Sequence, residues 1–125
     1  MKELTKAEDQ IMQVLWKIEK GFVKDIIEQL DDPKPAYNTV STIVRILAKK
    51  GFVGHEAFGK SHRYYPLIAK EEYTQQYMKS FIGNYFNNSF KRMVSFFAEK
   101  EDMSLKEMED LQAMIQDEIN KKKGA

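Results

Sequence analysis

Five side chains in one short run have the types and spacing to make specific polar contacts with a hydrogen-bonding surface. Asn38, Ser41, Thr42, Arg45 and Lys49 stand at successive steps of three, one, three and four residues. At about 100° per residue they share an arc of roughly 100° on a helix. Hydroxyls at Ser41 and Thr42 suit base edges or a thymine methyl, and the Arg45 guanidinium matches guanine O6 and N7. Small side chains early in the helix let its backbone approach a groove floor. The arc carries no acid, whereas an ordinary solvated face is built from Glu and Lys; Asn, Ser and Thr are poorer helix formers. The pattern fits insertion into the major groove of duplex DNA, with Asn38, Ser41, Thr42 and Arg45 as candidate base-reading residues.

The elements that must position this arc are legible around it. A helix is predicted from about Ala36 to Lys50, with Val40, Ile43 and Leu47 on its inward side and Gly51 ending it. A strand over Phe52–Phe58, a turn at Gly59-Lys60-Ser61 and a return strand over His62–Tyr65 make a hairpin that Pro66 stops. Lys60 at the tip, with His62 and Arg63 on the return, suits phosphate contacts, as do Thr39, Lys49 and Lys50 on the helix. An edge hairpin also uses Lys simply to block aggregation. From Lys34 to Lys70 there are seven Lys or Arg against the single acid Glu56, a net charge of +6 within a chain of net +1. A polar-faced helix followed by a basic hairpin is the reading head of a winged helix-turn-helix.

Upstream, Thr5 and Glu8 form a capping box for a first helix. Ala7, Ile11, Val14, Leu15 and Ile18 make its stripe, and Gly21 is the expected left-handed stop. A second helix is expected over Val23–Leu30 with a poor cap at Phe22; Asp31-Asp32-Pro33-Lys34-Pro35 ends it. Beyond Lys70 a long amphipathic region carries Tyr73, Tyr77, Phe81, Tyr85, Phe86, Phe90 and Phe97, bent or split at Gly83 or Asn87-Asn88-Ser89. A second capping box, Ser104 with Glu107, starts a last helix with a Leu105, Met108, Leu111, Ile115 and Ile119 stripe. Two helices cannot easily hide so many large side chains alone, so Tyr77, Phe81, Tyr85, Phe90, Leu111 and Ile115 are expected at a homodimer interface.

Other chemistry is excluded or weakly supported. The chain has 125 residues and no Cys, which removes disulfides, thiolate metal sites and a Cys nucleophile. His55 and His62 have only Glu56 nearby, too few ligands for a metal. The acidic pairs Asp31-Asp32, Glu71-Glu72 and Glu101-Asp102 fall at helix ends or loops. No nucleophile, base and orienting group converge. Charged residues interrupt the N-terminus, and no apolar run approaches the ~20 residues of a membrane span. A cytoplasmic non-enzyme without cofactor or metal is expected.

Tyr37, Thr39-Val40-x-Thr42-Ile43, Leu47, Lys49-Lys50-Gly51 and Phe52 resemble the recognition-helix signature of the BlaI/MecI family of penicillinase repressors. Glu8-x-x-Ile11-Met12-x-Val14-Leu15-Trp16 resembles its first-helix motif. Tyr64-Tyr65-Pro66 matches the exit of its wing, and Phe97-Ala98 through Leu111 its tail. The resemblance implies a homodimeric repressor of β-lactamase or resistance operons, released when a membrane sensor protease cleaves its C-terminal region. The family's resistance repressors are cut at Asn-Phe before an Ala; here the stretch reads Phe96-Phe97-Ala98, which makes Phe96 and Phe97 the candidate cleavage position. Many members carry Arg where this chain has Ile46, with the Arg one residue earlier at Arg45, a displacement of about 100° that would alter operator choice. The cysteines of the copper-responsive branch are missing.

The expected architecture is mainly α with a small β wing: a winged helix-turn-helix over residues 1–70 and a helical dimerisation region over 71–125. A winged-helix module that binds protein through its aromatic helices, without DNA, is the alternative.

Overall fold

The computed structural model describes residues 2–100 and 102–124, so Glu101 of the Glu101-Asp102 pair lies outside it. Three helices, α1 (Lys6–Ile18), α2 (Val23–Glu28) and α3 (Tyr37–Lys49), precede a hairpin of β1 (Val53–Phe58) and β2 (Ser61–Pro66). Three more follow: α4 (Lys70–Phe86), α5 (Phe90–Glu99) and α6 (Leu105–Gly124). The expected class, mainly α with a two-stranded wing, is what the chain forms. Its packing divides into two compact units, with the boundary inside α4 between Tyr77 and Met78.

In the first unit, α1 begins with the full capping box. The Glu8 N–H donates to Thr5 Oγ1 at 3.2 Å and the Thr5 N–H to Glu8 Oε1 at 2.9 Å. Its buried stripe is Ile11, Met12, Val14 and Leu15. Ala7, expected inward, is exposed, and Met12 is fully buried instead.

The expected stop at Gly21 falls elsewhere. Glu19 takes the left-handed turn at φ 72°, while Gly21 pairs with β2, exchanging backbone bonds of 2.8 and 2.9 Å with Tyr64. A Cβ there would stand 2.7 Å from the terminal methyl of Ile18, which would have to shift.

α2 stops at Glu28 rather than Leu30. Lys34 Nζ folds back onto the carbonyls of Leu30 (2.6 Å) and Glu28 (3.3 Å) and satisfies its end. Phe22 cannot cap, but the Asp25 carboxylate accepts its N–H at 2.9 Å, so half of a capping box forms.

α3 buries Val40, Val44 and Leu47 against α1 and α2. Val44 is fully buried, and Ile43, expected inward, sits at the edge of the stripe, half-exposed. Gly51, at φ 83°, turns the chain into the hairpin. Phe52 is buried beneath it. Tyr73, at the start of α4, closes the core against Phe52 (ring centroids 5.8 Å) and Trp16 (6.0 Å).

In the second unit the break lies at Asn87 and Asn88, both left-handed (φ 52° and 62°), while Gly83 stays helical. Ser89 then caps α5 by accepting the Arg92 N–H at 3.1 Å. Ser104 and Glu107 form the second capping box, with bonds of 3.1 and 3.2 Å. Neither α5 nor α6 buries a residue.

Candidate nucleic-acid interface

α3 presents the acid-free arc to solvent. Asn38, Thr39, Thr42, Arg45 and Lys49 are exposed and Ser41 half-buried. The arc is knitted to its own helix: the Thr42 hydroxyl donates to the Asn38 carbonyl at 2.8 Å. Arg45 donates to the Ser41 carbonyl (3.4 Å) and the Thr42 hydroxyl (3.5 Å). These are long, solvent-facing bonds, so the guanidinium can exchange them for a base edge at little cost.

In the hairpin, antiparallel register sets His55 opposite Tyr64, Ala57 opposite His62 and Glu56 opposite Arg63. Alternation therefore puts His55, His62 and Tyr64 on one face. The two imidazoles stack at 4.4 Å and 14°. On the other face Glu56 accepts from Lys20 (3.3 Å) and Arg63 (3.2 Å). Bonds from Lys20 and then Arg63 hold the Glu56 carboxyl below its ordinary range. The Arg63 guanidinium also lies 4.8 Å over the Phe58 ring.

Between α3 and the wing lies an open groove of about 550 Å³. Tyr37, Ser41 and Arg45 line it from α3, Phe22 and Lys24 from the start of α2, and Lys60 and His62 from the wing, with Tyr64 also in the lining. Among the described residues three cations line it and no carboxylate. Burial pushes the Tyr64 phenol up, and the nearby Arg45 charge opposes that rise.

Two expected phosphate ligands sit elsewhere. Lys50 Nζ lies 2.8 and 2.9 Å from the oxygens of Glu8, the one buried charged residue among those described. It is turned inward because an unpaired carboxylate 4% exposed would be expensive. Arg63 is engaged by Glu56 and Phe58. Lys49, Lys60, His62 and Thr39 remain at the surface.

Sequence reasoning missed Lys24 and the groove role of Tyr37. Lys24 carried no signal, since a lone exposed Lys in a short helix is ordinary; Tyr37 stood in the quoted motif and is 59% exposed.

Elsewhere in the first unit, Tyr77 is exposed on α4. Within the second unit, Phe81, Tyr85, Phe86, Phe96 and Phe97 form a chain of ring contacts of 5.1–5.7 Å. Tyr85, Phe90 and Ile115 are nevertheless exposed, at 74%, 67% and 46%, and Leu111 is half-buried. Phe96 and Phe97 lie inside α5.

Among the described residues no group of three or more His, Cys, Asp or Glu is placed to hold a metal ion. No described helix is long and apolar enough to cross a membrane.

Residues 4–117 match the family described as penicillinase repressor. The chain belongs to that family. The methicillin resistance regulatory protein MecI of Staphylococcus aureus (strain N315) is 31% identical over 114 residues, 90% of this chain and 93% of that one. The penicillinase repressor of Bacillus licheniformis is 27% identical over 122 residues, 97% and 95% of the two chains. Among solved structures, the DNA-binding domain of the repressor BlaI is 28% identical and superposes with a TM-score of 0.50, covering 58% of this chain and 94% of that domain. The family and its winged-helix fold are thus those implied by the first-helix and recognition-helix motifs.

Proposed function

We propose that this protein is a sequence-specific DNA-binding transcriptional repressor that acts as a homodimer on a pseudo-palindromic operator. The observation that carries the reading is the exposed, acid-free face of α3 beside a cationic groove closed by the wing. α3 enters the major groove with Ser41, Thr42, Arg45 and Asn38 toward base edges. Thr39, Lys49, Lys60, His62 and the newly placed Lys24 contact phosphates. Ala36 offers no side-chain cap to α3, which leaves first-turn amides for a phosphate oxygen. Similarity to repressors of resistance operons supports an operator of that kind.

Residues 1–70 serve DNA binding and the helices beyond them dimerisation. The exposed Tyr85, Phe90 and Ile115, with Phe81 and Leu111, are the apolar side chains of the second unit that a second copy covers. Two recognition helices one turn apart then meet half-sites centred about 10 bp from each other. Release by a membrane sensor protease at Phe96-Phe97 requires α5 to unwind first, because a protease needs an extended substrate strand.

The test is a mobility-shift series on duplexes selected from a random pool. Arg45→Ala should relax choice at one base position per half-site, at roughly 1–3 kcal/mol, while Lys60→Ala weakens all sequences about equally. Two indistinguishable variants would refute this division of roles.

A further inference from the structure

The first unit holds a second groove that shares no residue with the one facing DNA. Its volume, about 400 Å³, falls in the range of small-molecule sites. One wall is aromatic. Tyr73 lies 6.0 Å from Trp16 at 35° and 6.1 Å from Tyr77 at 30°. These rings are fixed by polar bonds at their edges: Trp16 Nε1 donates to the Ile68 carbonyl at 2.9 Å, and Tyr73 Oη accepts the Leu4 N–H at 2.9 Å. The indole N–H is thereby used by the fold, and what Trp16 offers a ligand is its π face.

The facing wall is the start of α1. Asp9, Gln13 and Trp16 are four and three residues apart, so one face of α1 carries all three. Glu3 and Asp9 both line the groove, and neither is in an ion pair among the described residues. Their charges reach the Tyr73 phenol, which burial first and then both carboxylates push up. Among the described residues Lys6 is the single cation in the lining. Asp9 accepts from Gln13 Nε2 at 3.5 Å, and two carboxylates against one lysine, beside the negative faces of aromatic rings, form an environment that favours cations over anions.

We propose that this groove binds a small organic cation, a quaternary ammonium or amine on an apolar body, with its charge between Asp9 and Glu3 and the aromatic wall. The body rests on Tyr73 and Tyr77, so an occupant ties the start of α4 to α1. The inference stands independently of the DNA-binding reading.

Trp16 is the only tryptophan, so intrinsic emission of the full chain reports occupancy directly. The probe is benzyltrimethylammonium, titrated at constant ionic strength, with benzyl alcohol as the uncharged ring control. A saturable emission change is expected, with half-saturation about tenfold lower than for benzyl alcohol, the effect of one charge contact. Asp9→Asn should raise half-saturation about tenfold, and Gln13→Glu, which adds a carboxylate to the same exposed stripe, should lower it severalfold. A purely structural role for these residues predicts no such gain. If Asp9→Asn does not fold, Glu3→Gln, which precedes α1, makes the same test. The proposal is overturned if the response does not saturate, if the alcohol saturates like the ammonium, or if the charge variants leave half-saturation unchanged.

Discussion

Lys50 is predicted to be a strut under the recognition helix and not a phosphate ligand, and the two roles separate cleanly by experiment. Its ammonium lies 2.8 Å from Glu8, with side chains 23% and 5% exposed. At that distance and an effective dielectric near 20 the attraction is about 6 kcal/mol, most of it offset by desolvating both groups. Removing one partner of a fully buried pair costs roughly 3–5 kcal/mol; because the Lys50 end touches solvent, Lys50→Met should cost about 2–4 kcal/mol. Urea denaturation gives this value, and Glu8→Gln in the same chain should recover part of it, since no charge is then left buried.

A pH dependence follows from the same pair. Burial alone pushes the Glu8 carboxyl up, but the Lys50 and Thr5 bonds to its charged form outweigh burial and leave it below its ordinary 4.5. The pair therefore contributes fully above about pH 4.5 and is lost as pH falls through the depressed folded value. The acid limb of the stability profile should flatten in the double variant. On random duplex, the slope of log affinity against log salt should be unchanged in Lys50→Met; a phosphate contact would reduce it by about 0.9. Unchanged stability together with that loss of slope would refute the assignment.

Three further outcomes are expected. Gly54 faces Tyr65 across the wing, and a Cβ there would stand 2.8 Å from Tyr65 Cζ; Gly54→Ala should cost about 1–3 kcal/mol by overpacking, and Tyr65→Ser in the same chain should relieve it, both read by thermal melting. Thr5→Ala removes the α1 cap and should lower stability by about 1 kcal/mol in the same assay. Leu111→Asp places a charge on the proposed dimer face. Sedimentation equilibrium should then shift toward monomer, whereas a wild-type chain already monomeric at tens of micromolar would sink the dimer reading.

The first-helix stripe, the α3 arc, the Gly51 turn and both complete capping boxes were legible because each is a local regularity: side-chain period and cap chemistry act over three to seven residues. The limits of that reading show at Ala7, Gly21 and Ile43. Which edge of an apolar stripe goes inward depends on where neighbouring helices lie, and Gly21 is paired by its backbone with Tyr64, a strand residue that no local window contains.

The sequence by itself determined the winged-helix class, the polar arc of α3 and its cationic hairpin. Only the tertiary structure decided which cations stay available. Lys49 and Lys50 are adjacent and chemically identical, yet Lys50 is drawn to a buried carboxylate 42 residues away, while Lys49 is left to solvent. The same closure recruits Lys24 to the groove and brings Lys20 to Glu56. A charge takes its role from its nearest partner in space, and that partner is fixed only once the helices have packed.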